Sequence, residues 1–331
     1  MTAQTVLPRW RGFNLLEMFT MRSDGNFKED DFKWISDWGF NFVRIPMCYL
    51  LWVEDRDPFK IYEPMLENVD KVVRWGEKYG IHVNLNFHRA PGFSVNREYE
   101  EPFNLWKDQE ALDAFCLHWQ LFARRYKGIS SEKLSFNLVN EPMRPSEKMS
   151  RADHERVIRT VVKAIRDIDP DRLIIADGLS WANEPLPELA DLGIAQSCRA
   201  YIPSTISHYK ASWMAGSDKW PVPTWPESSN VPDPWNRQRL EEHYGRWAEL
   251  AKKGVGVHCG EGGAHNFTPH DVVLAWFRDV LEILKSYGIG YALWNFRGSF
   301  GILDSGRSDV EYEDWYGHKL DRKYLELLQE Y

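Results

Sequence analysis

Two glutamates end runs of sequence that otherwise read as buried strands. Glu141 closes LSFNLVNE (134–141) and Glu261 closes GVGVHCGE (254–261). An unpartnered carboxylate buried at such a place costs several kcal/mol. The same pattern recurs in other runs: Arg44 lies near the end of FNFVRIP, His88 ends IHVNLNFH, Asn140 precedes Glu141, and Trp294 lies near the end of GIGYALWNF. A rim salt bridge to an arginine would explain either glutamate alone. The company of Asn140, His88 and Trp294 favours a shared site. Two facing carboxylates can cleave an acetal. At about 5–5.5 Å one attacks carbon while the other supplies a proton, and at about 6.5–9.5 Å a water fits between them. A neutral sugar would also need fixed hydrogen-bonding groups and a flat aromatic platform, which the remaining residues provide.

Eight apolar runs alternate with amphipathic stretches: residues 11–16, 40–46, 81–88, 134–141, 172–179, 195–201, 254–261 and 288–296. Between them, ENVDKVVRWGEKYG, ALDAFCLHWQLFARRYKG and HERVIRTVVKAIRDI repeat apolar residues at three and four, the helical period. TPHDVVLAWFRDVLEILKSYG predicts a helix capped by Thr268 with Pro269 at its first position. Strands that are continuous apolar runs, alternating with helices over 331 residues, predict an α/β (β/α)8 TIM barrel forming a single domain over 1–331. Active sites of that fold collect at the C-terminal strand ends, where these polar residues stand. The rival, a doubly wound sheet, lacks any GxGxxG or GxxxxGK[ST] loop here. His82, His88, His258 and His265 fall on different units without metal-type spacing, so no metal is expected, and no GxSxG elbow is present.

Composition narrows the partners. With 49 acidic against 41 basic side chains and no basic block, nothing marks a nucleic-acid or membrane partner, and a neutral carbohydrate is expected. Composition leaves the oligomeric state open. MTAQTVLPRWRGFNLL lacks the basic and apolar regions of an export signal, so the expected location is cytoplasmic, or outside the cell for a chain lacking its leader. Cys48, Cys116, Cys198 and Cys259 lie far apart and mostly within apolar segments, and are expected as free core thiols.

Taken in order, RGFNLL, GFNFVRIP, NFHRAPG, NLVNEP, GEGGAHN and ALWNF resemble glycoside hydrolase family 5, the cellulase family of retaining (β/α)8 enzymes, over nearly the whole chain. The resemblance implies hydrolysis of β-glycosidic bonds by double displacement without a cofactor, with Glu141 as general acid/base and Glu261 as nucleophile. It also implies Arg44 holding the nucleophile, His88 and Asn140 contacting the sugar, and Trp294 as its floor. An exo-acting glycosidase on a mannoside or furanoside is the alternative, and a catalytically silent carbohydrate-binding barrel a more distant one. The chain departs from the family at the sixth run. Where His-x-Tyr is usual, Arg199 and Tyr201 stand, with His208 farther on as a sugar contact. This added cation is expected to alter the reactive subsite or to favour an acidic or unusual sugar. A long Trp- and Pro-rich loop (about 202–236), with Trp213, Trp220, Trp225 and Trp235, is expected to wall the cleft. Arg89, Glu98, Trp106, Trp181, Asn183, Arg297, Asp304 and Trp315 complete the candidate rim.

Overall fold

The computed structural model describes residues 5–331 except Arg97. The first four residues of the amino-terminal stretch therefore lie outside the described residues. Among the described residues, eight parallel strands form the barrel: β1 (Arg11–Asn14), β2 (Phe42–Cys48), β3 (His82–Ala90), β4 (Leu134–Asn137), β5 (Leu173–Asp177), β6 (Ala195–Ala200), β7 (Val257–Gly262) and β8 (Gly290–Leu293), with a short antiparallel strand, Phe93–Ser94, appended to β3. Each pairs with its neighbour in sequence, and β1 pairs with β8, so the sheet closes on itself. This is a (β/α)8 barrel.

Helices α1 (Glu29–Asp37), α2 (Glu63–Tyr79), α3 (Gln109–Arg125), α4 (Arg151–Arg166), α5 (Arg237–Lys252), α6 (His270–Ser286) and α7 (Arg322–Glu330) follow β1 to β4 and β6 to β8. After β5 the crossover carries only short turns, including a 3-10 segment at Pro187–Leu192. One unit thus lacks the full helix expected of it. Helix ends obey local chemistry. In α4, the Ser150 hydroxyl accepts from the Asp153 N–H (3.1 Å) while the Asp153 carboxylate accepts from the Ser150 N–H (2.8 Å). Helix α2 stops at Gly80, whose φ of +68° suits a residue without Cβ. Thr268 does not cap α6. Pro269 is the flanking residue, and the carboxylate of Asp309, from a later loop, accepts the His270 N–H at 2.7 Å. Thr268 instead donates its hydroxyl to the Ile206 carbonyl.

The continuous-apolar reading holds only for the face of the strands that meets the helices. Within the barrel, buried Asn14, Arg44, Asn86, Asn137 and Asp177 join by hydrogen bonds into a polar layer, and Asn84 donates to Ser135 Oγ as a separate buried pair. Aromatic rings close the opposite end. Trp10 stacks on His82 at 3.9 Å between ring centroids, and Phe42 lies 4.4 Å from His258. All four cysteines are free thiols, three buried and Cys116 half-buried. Among the described residues, no helix is long and apolar enough to cross a membrane.

Candidate active site

The polar layer leads upward to a cluster of two arginines and three carboxylates. Regular pairing of β4 ends at Asn137, but the next residues stay anchored: Leu138 N–H donates to the Ile175 carbonyl and Asn140 N–H to the Phe87 carbonyl (2.9 Å). Glu141 then turns with φ +50°, a left-handed conformation that costs a non-glycine residue about 1–3 kcal/mol. Its N–H donates to Asp177 Oδ2 at 3.0 Å, which holds the turn. On the neighbouring strands, a bulge between Cys198 and Arg199 skips one residue of β7, so that Arg199 stands opposite Glu261. The skipped residue is Gly260. A Cβ there would come within 2.6 Å of Ser197 Oγ and 3.1 Å of Arg199 Nη1.

Arg44 is fully buried and spends its guanidinium on four partners. Nη1 donates to Glu261 Oε1 (2.6 Å) and Asn14 Oδ1 (3.0 Å), Nε to Asn137 Oδ1 (2.9 Å), and Nη2 to Asn140 Oδ1 (2.8 Å). Arg199 spends all five of its N–H groups within the protein. Nε donates to Glu141 Oε1 (2.9 Å), Nη1 to Ser197 Oγ and the Cys198 carbonyl, and Nη2 to Asn140 Oδ1 (2.9 Å) and Asp177 Oδ2. Nη2 also lies 3.3 Å from Glu261 Oε1, so one planar fork spans both glutamates. The other oxygen of Glu261 accepts from the Tyr201 hydroxyl at 3.0 Å.

The electrostatics follow from this arrangement. Burial, then the negative charge of Glu261, raises Glu141 to about 7 against the pull of Arg199. Burial works against the charge on Arg199, but Asp177, Glu261 and Glu141 outweigh it and raise its pKa. Burial and the two glutamates also hold the Tyr201 phenol well above its ordinary range, so it remains a donor. His88 is neutral, held down by burial and by the charges of Arg44 and Arg199. Its ring stacks on Trp294 at 5.5 Å, and its Nε2 faces Asn140 Nδ2 at 3.5 Å. Because both arginines donate to Asn140 Oδ1, the amide turns its NH2 towards His88 and the bowl.

The cellulase model for glycosyl hydrolase family 5 matches residues 2–299. The chain belongs to this family. Endoglucanase C of Acetivibrio thermocellus is 27% identical over 311 residues, covering 86% of this chain and 88% of that one. Cellodextrinase A of Ruminococcus flavefaciens is 26% identical over 278 residues, 81% of this chain and 78% of its own. A solved structure described as a glycoside hydrolase superposes with a TM-score of 0.92 at 42% identity, covering 97% of this chain and 99% of that one. The protein is a glycoside hydrolase acting on β-glycosidic bonds.

In this family 5 enzyme the fold brings Arg44, His88, Asn140, Glu141, Tyr201, Glu261 and Trp294 into one bowl. His208 sits one layer out, edge-on to Tyr201 at 5.1 Å, with Nδ1 on Ser207 Oγ. Burial, then His265, lowers it to about 4. Of the loop tryptophans, Trp213 stands by the site, 6.1 Å from His208 and 6.2 Å from Phe300, and is 58% exposed. Trp225 is tied to Asp279 of α6, and Trp235 packs against His243 and Arg239 of α5, so these two clad the barrel side instead. Among the rim residues, Arg297 pairs with Asp31 and Asp304, Arg89 pairs with Glu101, Glu98 accepts the Met21 N–H, and Trp106 is buried beside His154. These contacts brace loops. Asn183 folds onto the Ser180 carbonyl, and Trp181, 44% exposed, donates its N–H to the Pro142 carbonyl beside Glu141. An acidic sugar finds no free donor on Arg199, since every N–H is taken. Sequence reasoning missed Asp177, Asn14 and Asn137. Their signal was a polar residue inside an apolar run, at the alternate positions that face a barrel interior.

Proposed function

We propose that this enzyme cleaves β-linked glucan chains with retention, using Glu261 as nucleophile and Glu141 as general acid and then base. The observation that carries the reading is the asymmetry of the two glutamates around one guanidinium. Glu261 receives Arg44, Tyr201 and a near approach from Arg199, donors that suit an acceptor-only carboxylate. Glu141 has Arg199 on one oxygen and is pushed up to about 7, which suits a proton donor. Glu261 attacks the anomeric carbon from the α face as the glycosidic C–O bond breaks, and the Glu141 proton passes to the leaving oxygen. Glu141, now ionised, takes a proton from water; that water attacks the same carbon and Glu261 departs, restoring the β configuration. Trp294 supplies the apolar floor, and the Asn140 NH2 faces the sugar. The names of the relatives, an endoglucanase and a cellodextrinase, support a glucan substrate.

The roles separate with dinitrophenyl β-cellobioside and azide. Glu141→Ala should form the glycosyl-enzyme fast, because this leaving group needs no proton, and then stall until azide releases a β-glycosyl azide. Glu261→Ala should lose ordinary turnover and yield, if anything, an α-glycosyl azide. Reversed anomers would exchange the roles; wild-type turnover in both variants would remove the site.

A further inference from the structure

We infer that Asp177 and Arg199 form one positioning unit for Glu141, in which Arg199 aims the carboxyl through its fork and Asp177 cancels the charge that the fork brings. The inference rests on the reading of Glu141 as acid/base. Asp177 touches Glu141 twice, directly through the Glu141 backbone N–H (3.0 Å) and indirectly through Arg199, which reaches the Glu141 carboxyl at 2.9 Å. A single buried carboxylate thus holds both the backbone turn and the side chain of Glu141. The unit is itself supported. Asn137 Nδ2 donates to Asp177 Oδ1 at 2.9 Å, and Gly260 leaves the room that Arg199 occupies.

Charge explains why two residues are needed. The ionisable groups around Glu141 are Glu261 on β7, Arg199 on β6 and Tyr201 just after it, Asp177 on β5 and Arg44 on β2. An arginine against a general acid, with no counter-charge, would hold that acid ionised and useless as a donor. Here Arg44 pairs with Glu261 and Arg199 with Asp177, which leaves Glu141 as the odd carboxyl of the cluster. Arg199 can therefore orient Glu141 without fixing its charge. All five N–H groups of Arg199 are engaged inside the protein, so its role is exerted through Glu141 rather than on the sugar.

The test follows the Glu141 carboxyl by 13C NMR in protein labelled at glutamate side chains, the resonance being assigned by its loss in Glu141→Gln. Asp177→Asn removes the balancing charge, and the Glu141 midpoint should fall by about 1–3 units. Arg199→Met should move it up by a similar amount. The double variant, which loses one charge of each sign, should keep a midpoint near wild type yet lose turnover with the fork, and it covers the case in which a single variant leaves an unpaired buried charge and unfolds. Arg199→Lys keeps the charge but not the planar fork; its midpoint should stay near wild type while turnover of p-nitrophenyl β-cellobioside falls on the order of 10- to 100-fold from misplacement. If Asp177→Asn and Arg199→Met leave the Glu141 midpoint unmoved, or if Arg199→Lys or the double variant keeps full turnover, the pair is merely structural and the inference is overturned. Failure of the acid/base reading shows separately, as a Glu141→Ala variant that retains full turnover on unactivated glycosides.

Discussion

Glu141→Gln should make the protein more stable than wild type at about pH 8, and no more stable at about pH 4.5. In the folded state the Glu141 carboxyl is raised from 4.5 to about 7, first by burial and then by Glu261. The native state therefore keeps a proton that the unfolded chain releases across this window. Stability contributed by that proton is complete below pH 4.5 and is lost as the pH rises towards 7. At about 1.36 kcal/mol per unit, the full penalty is about 3 kcal/mol. Glutamine has nearly the same shape, accepts the Arg199 Nε–H through Oε1, and carries no charge to desolvate. At roughly 2 °C per kcal/mol for a chain of this size, the midpoint should rise by about 5 °C at alkaline pH. Calorimetric melting of both proteins at half-unit steps between about pH 4.5 and 8.5 measures the difference. A difference that stays flat with pH, or one that grows towards acid, would refute the claim that Glu141 is held protonated by its surroundings. The expected result also means that the site sacrifices stability for a usable proton, since the stabilised variant should be inactive on unactivated substrates.

Four further outcomes are expected. The alkaline limb of kcat/KM should fall at about pH 7, where Glu141 loses the proton it must donate; a limb that persists in the wild type only above about pH 9 would place the donor elsewhere. Tyr201→Phe removes the hydroxyl on Glu261 Oε2, a hydrogen bond to a charged group worth about 1.5–3 kcal/mol, and should lower kcat/KM by roughly 10-fold or more; unchanged kinetics would take Tyr201 out of the mechanism. Trp213→Ala should raise KM for long glucan oligosaccharides by roughly 3- to 10-fold while sparing short aryl glycosides, and equal effects on both would contradict a remote stacking role. Turnover should survive exhaustive chelation, because Glu141, Asp177 and Glu261 are already committed to arginines; loss of activity restored by one divalent ion would refute this.

Features confined to short windows were legible from the residues alone. Helical period and the alternation of strand and helix depend on neighbours within a few positions, and they led directly to the barrel. The fold in turn gives meaning to Glu141, Glu261, His88 and Trp294, because a polar residue ending a barrel strand must point into the common bowl. Closure and register decided what lay beyond those windows. The cap of α6 comes from Asp309, 39 residues along the chain, so the local motif at Thr268 could not reveal it. Trp213, Trp225 and Trp235 share one loop and one composition, yet only the packing of α5 and α6 sends two of them to the barrel side. Asp177 went unnoticed within its apolar run, and only the placing of β5 beside β4 and β6 brings it to Asn137 and Arg199. Arg199 read as an added cation that would alter the reactive subsite or favour an acidic sugar, not as the orienting partner of Glu141. Its partners lie 22, 58 and 59 residues away, and the bulge at Gly260 turns it towards both glutamates. Which groups face each other across a barrel depends on strand register, and a shift of one residue there reverses every side chain.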